Sequence, residues 1–185
     1  MTDNRERVPP LAVAELNSEQ RALVGEWTTL NFSRVLVRHV GLYRTFLPFI
    51  DQVIRGSSLP PRDREILVIR TLALGRDVYE DHHHVSIARK SGLTEAEIDS
   101  ARGEGVLLVP FERLLLRAAE ELVQSHCLSD ATWSGLGERY SSEQKMEVIF
   151  LVGCYSTMAM ATRSLGIEVE APEAHRKLAD LRQYT

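Results

Sequence analysis

The sequence predicts an all-α chain. Three observations carry this. Apolar residues recur at helical spacing, as in Leu42, Phe46, Phe49/Ile50 and Val53. Two stretches, Ile66 to Leu74 and Ser142 to Ser164, are apolar on most sides, as buried helices are. No segment offers a convincing strand pattern.

The elements follow in order. Met1 to Pro10 reads as a polar leader, and residues 1–17 are assigned to it. A short helix runs from Glu19 to about Thr29 with Ser18 as its cap, and Asn31-Phe32-Ser33 breaks it. An amphipathic helix follows over Leu42 to Ile54, where Pro48 bends it or displaces its start. Gly56-Ser57-Ser58 ends it. Leu59-Pro60-Pro61 opens the next helix, because proline lacks only an N–H that a first turn leaves unbonded anyway. Asp77 caps the helix after that, with Glu80 three residues on as in a capping box. Gly92 closes it. Thr94 and Glu97 repeat the capping box, and Gly103 and Gly105 end that helix. Pro110 starts a longer amphipathic helix to about Ser125. Ser129 caps a short one carrying Trp133 and Leu136. Ser142 to about Ser164 forms the second buried helix, in which Gly153 suggests close packing. A peripheral helix from about Pro172 to Gln183 completes a single domain over residues 18–185.

Composition narrows the function. The 185 residues are 44% hydrophobic, enough for a real core. With 26 acidic and 22 basic residues the net charge is −4, which argues against a nucleic-acid partner. No apolar run approaches the length needed to span a bilayer and no signal peptide is visible, so no membrane partner is expected. Cys127 and Cys154 form neither a CxxC pair nor a disulfide framework, which suits a reducing, cytoplasmic setting.

The chemistry concentrates between Asp77 and Gly92, where His82, His83 and His84 stand in a row. On a helix, Glu80 and His84 share a face at i and i+4, with His83 beside them. That is a seat for proton transfer, since imidazole titrates near neutral pH. Glu65 lies where a polar first turn enters a buried helix. Three side-by-side histidines cannot share one face, so His82 and His83 are read as neighbours rather than catalysts, and His84 has the strongest claim. Glu80-x-x-His83 also matches half of a di-iron signature, but a second Glu-x-x-His is missing.

From Leu59 to Ile98 the sequence resembles the carboxymuconolactone decarboxylase family, which includes the alkylhydroperoxidase D proteins. The residues that carry it are Arg62-x-Arg64-Glu65-Ile66-Leu67, Tyr79-Glu80, His84, and Ala88-x-x-x-Gly92-Leu93-Thr94-x-x-Glu97-Ile98. Arg38-His39-Val40 and the surroundings of Trp133 are also similar. The resemblance implies an alkylhydroperoxidase D-like helical bundle, assembled as a homotrimer or homohexamer with sites near subunit interfaces. It places Glu65, Glu80 and His84 in the catalytic roles. The peroxidase branch needs CxxCxxxH, and here Asp77 and Glu80 occupy the two cysteine positions. Carboxylates cannot cycle through disulfides, so thiol peroxidase chemistry is not expected. The decarboxylase branch, with Tyr-Glu-x-x-x-His, matches better. Asp81 stands where that branch often has Trp, and Arg163 near its usual Asn, which leaves the substrate open.

The expected function is therefore a cofactor-independent acid–base enzyme. It would act on a small carboxylated lactone, or a related carbonyl acid, from aromatic catabolism. His84 is the candidate proton donor, Glu80 the group that tunes it, and Glu65 a second acid–base group. Arg64 and His83 are the candidates for binding the substrate carboxylate. A metal-dependent enzyme using Glu80, His83 or His84, and a non-catalytic helical oligomer, are the alternatives.

Overall fold

The computed structural model describes residues 5–103 and 108–171. Gly105 and the helix expected from Pro172 to Gln183 lie outside these residues, as does the start of the leader. Nine α-helices and no strands are formed among the described residues, so the all-α reading holds. By contacts the chain divides into two compact units, Met1–Gln52 with Ala161–Thr185, and Val53–Met160.

In the first unit, a short 3-10 turn at Val13–Glu15 precedes α1 (Ser18–Val24). The cap of α1 is Asn17, one residue before the expected Ser18. The Gln20 N–H donates to Asn17 Oδ1 at 2.9 Å, and the Asn17 N–H donates to Gln20 Oε1 at 3.1 Å. Two orphan donors are satisfied reciprocally, which a serine at the next position could not arrange. The α-helix stops at Val24 and a 3-10 turn covers Gly25–Thr29. Asn31, expected to break a helix, begins one: α2 (Asn31–Leu36). Its N–H donates to Glu170 Oε1 at 2.6 Å, so a distant carboxylate supplies the N-terminal acceptor. Leu16, Val24, Val37 and Tyr43 form a small core, with Leu11, Leu23, Trp27, Leu36 and Leu47 against it. α3 (Val40–Ile54) keeps Pro48 inside it. Its inward face is rotated from the expected one, for Tyr43 is buried while Leu42 is 47% exposed.

The second unit is built on α4 (Pro61–Gly75), which packs against α5 (Val78–Lys90), α6 (Glu95–Arg102) and α7 (Pro110–Ser125). Residues 65–69, 71 and 72 of α4 are all buried, as its near-continuous apolar run requires. The buried Thr71 hydroxyl donates to Leu67 O at 2.7 Å, so it costs no unmet hydrogen bond. Arg76, at φ 53° and ψ 40°, turns the chain out of α4. Its N–H and that of Asp77 donate to Ala73 O and Leu72 O, which closes the carbonyls of the last turn. Asp77 Oδ1 then accepts the N–H groups of Tyr79 and Glu80 at 3.0 and 3.2 Å and starts α5. The Thr94–Glu97 capping box at α6 forms as expected. Arg62 ties these helices together. It donates to Glu112 Oε1 at 2.7 Å, to Gly92 O at 2.8 Å and to Glu97.

α8 (Asp130–Leu136), capped by Ser129, precedes α9 (Ser142–Leu165). Expected as a buried helix, α9 is two-faced. Val148, Leu151, Val152, Cys154, Tyr155 and Met158 are buried, whereas Met146, Ile149, Phe150 and Met160 are exposed. A Cβ at Gly153 would meet nothing, so close packing does not explain that glycine. At 24 residues and mean hydropathy 1.3, α9 is long and apolar enough to cross a membrane by length and composition, which corrects the sequence reading. The core helix of a globular protein satisfies the same measure, and 44% of the apolar window is buried.

Candidate active site

The short connection after Gly75 folds α5 back beside α4, an αα-hairpin that brings distant side chains together. Glu80, His83, His84, Ile87 and Ala88 are buried on α5, a stripe at i, i+3, i+4, i+7 and i+8. Tyr79 is buried beside them, and His82 faces solvent. The expected shared face of Glu80 and His84 is thus present, with His83 on it.

The partner of the imidazole comes from α4. His84 Nδ1 lies 2.7 Å from Glu65 Oε2, with both side chains almost wholly buried. The sequence pointed to Glu80 as the group orienting His84, because helical spacing shows only neighbours on the same helix. A carboxylate on Nδ1 sets the tautomer, because it keeps the proton of the neutral ring on that nitrogen. It leaves Nε2 as the nitrogen for proton exchange. Glu65 Oε1, the other oxygen, takes the Arg64 Nε at 3.3 Å. Arg64 also donates to Ile54 O at 2.9 Å. Its guanidinium is therefore occupied with holding Glu65 and the end of α3. Arg70, farther along α4, is bonded to Glu120 and Arg102 O.

His83 is 4% exposed and stacks edge-on with Tyr79, ring centroids 4.8 Å apart. Glu80 is 6% exposed, a carboxylate at the start of a buried face. Among the described residues, no three His, Cys, Asp or Glu side chains are grouped to hold a metal ion.

Two site neighbours were not legible in the sequence. Tyr155 of α9 meets the His84 ring edge-on, centroids 4.8 Å apart and planes at 90°. Cys154, the preceding residue, is buried within reach of the Glu80 charge. Burial first, and then the Glu80 charge, push its thiol up to about 12. Such a thiol stays protonated near neutral pH and is no nucleophile. Nothing in the spacing of residues 154 and 155 connects them to Asp77–Gly92.

Residues 41–122 match the carboxymuconolactone decarboxylase family. The resemblance seen in the sequence is borne out by this match. Solved structures agree on the fold. The chain is similar to the alkylhydroperoxidase AhpD core of an uncharacterized peroxidase-related protein from Ralstonia eutropha JMP134, with TM-score 0.78 and 19% identity over 91% of this chain and 93% of that one. It is similar to a peroxidase-related protein from Silicibacter sp. TM1040, with TM-score 0.74 and 13% identity over 95% and 97% of the two chains. It is also similar to the debrominase Bmp8, with TM-score 0.73 and 14% identity over 96% and 99%. No curated protein sequence matches the chain. The fold is that of the alkylhydroperoxidase D-like helical proteins.

Proposed function

We propose that the protein is a cofactor-independent acid–base enzyme of the carboxymuconolactone decarboxylase type. Its substrate would be a small carboxylated lactone or related carbonyl acid. The observation that carries this reading is the buried His84–Glu65 pair, with Glu80 on the same buried face as His84. In the reaction, the substrate carboxylate leaves as CO2. The bonding pair passes into the conjugated carbonyl as a dienolate. His84 Nε2–H then protonates the carbon, and the imidazole regains its proton from solvent. Glu65 holds the ring, and Glu80 is the second carboxylate, placed to hold or return a proton. Arg64 contributes through Glu65, and His83 is the candidate contact for the substrate carboxylate.

Two observations weigh against thiol chemistry of the kind the peroxidase-related neighbours suggest. Asp77 and Glu80 stand at the cysteine positions of that branch, and Cys154 is buried with a raised thiol pKa. A variant of the debrominase Bmp8 is solved in complex with 2,3,4-tribromopyrrole, so a halogenated aromatic is a natural second probe for this fold. We also propose a cytoplasmic homotrimer or homohexamer. The exposed Met146, Ile149 and Met160 on α9, the helix that carries Cys154 and Tyr155 inward, support an interface beside the site.

The test is CO2 release from a carboxylated muconolactone. Wild-type protein is expected to turn it over, and His84→Gln to lose on the order of 100-fold or more in kcat while keeping its fold and assembly. Full activity in His84→Gln would remove His84 as the proton donor. No CO2 release by the wild type would remove this substrate.

A further inference from the structure

We propose that Tyr155 is a positioning residue that sets the tilt of the His84 imidazole through its ring. The inference rests on His84 as the proton-transfer group. A single hydrogen bond at Nδ1 constrains the ring incompletely, since such bonds tolerate a broad range of angles. The ring can pivot about the Glu65 contact, and Nε2, on the far side, moves most. A second contact off that axis is needed to stop the pivot. Tyr155 supplies it, edge-on at 4.8 Å and 90°, which is the favourable arrangement of two aromatic rings. Tyr155 is 1% exposed, and Val152, Cys154, Met158 and Ala159 around it on α9 are buried, so the contact is held by a packed helix rather than a loop. Tyr155 thus reaches His84 of α5 from a separate helix, α9. Proton delivery to carbon is sensitive to such placement, for a shift of about 1 Å can cost roughly 100-fold in rate.

Imidazole NMR on histidine-labelled protein reads the tilt directly and needs no substrate. In the wild type, nuclear Overhauser contacts are expected between the His84 and Tyr155 ring protons, and the neutral imidazole is expected as the Nδ1–H tautomer. Tyr155→Phe keeps the ring and is expected to leave the ring contacts and the His84 tautomer unchanged. Tyr155→Leu removes the ring and is expected to mix the Nδ1–H and Nε2–H tautomers. An unchanged His84 in Tyr155→Leu would overturn the proposal. So would tautomer mixing in Tyr155→Phe as large as in the leucine variant, or a wild-type protein without the ring contacts. Should Tyr155→Leu fail to fold, the wild-type contacts and the phenylalanine variant decide. These readings are independent of turnover, so an inactive protein on the lactone would refute the proposed reaction and leave the positioning result standing.

Discussion

At the scale of single residues, the site depends on what each carboxylate and thiol touches. Glu65 joins two partners that have no place in water, His84 and Arg64. Glu65→Ala leaves both without their carboxylate in a buried setting. We expect a loss of about 3 kcal/mol in chemical unfolding, because an unpaired buried cation costs more than the pair contributes. Conformational stability unchanged within about 0.5 kcal/mol would show that these contacts are replaced by water. The two cysteines should separate cleanly. Cys127 is exposed, and Cys154 is buried with its thiol pushed up to about 12. A thiol reagent at pH 8 is expected to add once per native chain and twice after unfolding, as read by intact mass. Two rapid additions to the native protein would contradict the packing of α9.

At the scale of elements, caps and ion pairs decide where helices begin and how they meet. Asn17→Ala removes the reciprocal box at α1 and is expected to lower stability by about 1 kcal/mol. The Arg62 cluster links α4 to α6 and α7. Hydrogen bonding to Arg62, and then to Thr94, holds Glu97 at about 2, well below its ordinary 4.5. A carboxyl depressed by folding stabilises fully above its unfolded value and loses that contribution as pH falls through its folded one. Thermal stability should therefore decline between about pH 4.5 and pH 2, and Glu97→Gln should flatten the decline there. Equal acid sensitivity in both proteins would assign the effect to other carboxylates. Helix starts marked by Asp77, Thr94, Pro110 and Ser129 were readable because their caps are local. The start of α2 was not, since its acceptor is Glu170, far along the chain.

At the scale of the whole molecule, α9 carries the main question. One side of it closes over the α5 site residues, and the other presents Met146, Ile149 and Met160 to solvent. The proposed assembly would cover this apolar side. We expect sedimentation of the wild type to give a trimer or hexamer, and Ile149→Asp to shift it toward monomer. A wild-type monomer at micromolar concentration would end the assembly proposal. The apolar composition of α9 was plain in the sequence, but its two faces were not. Hydropathy reports how apolar a helix is, and only packing decides which side of it is covered.

The sequence by itself determined the helical class, the family resemblance, and the stripe of Glu80, His83 and His84 on one face of α5. Each rests on local spacing, and spacing along a helix is fixed by its pitch. The tertiary structure alone decided that His84 Nδ1 answers to Glu65 rather than Glu80, that Arg64 is engaged behind it, and that Tyr155 and Cys154 belong to the site. Those contacts join α4, α5 and α9 across long stretches of chain. They exist because burying each apolar face brings particular side chains together, and no periodicity within one helix records its neighbour's register.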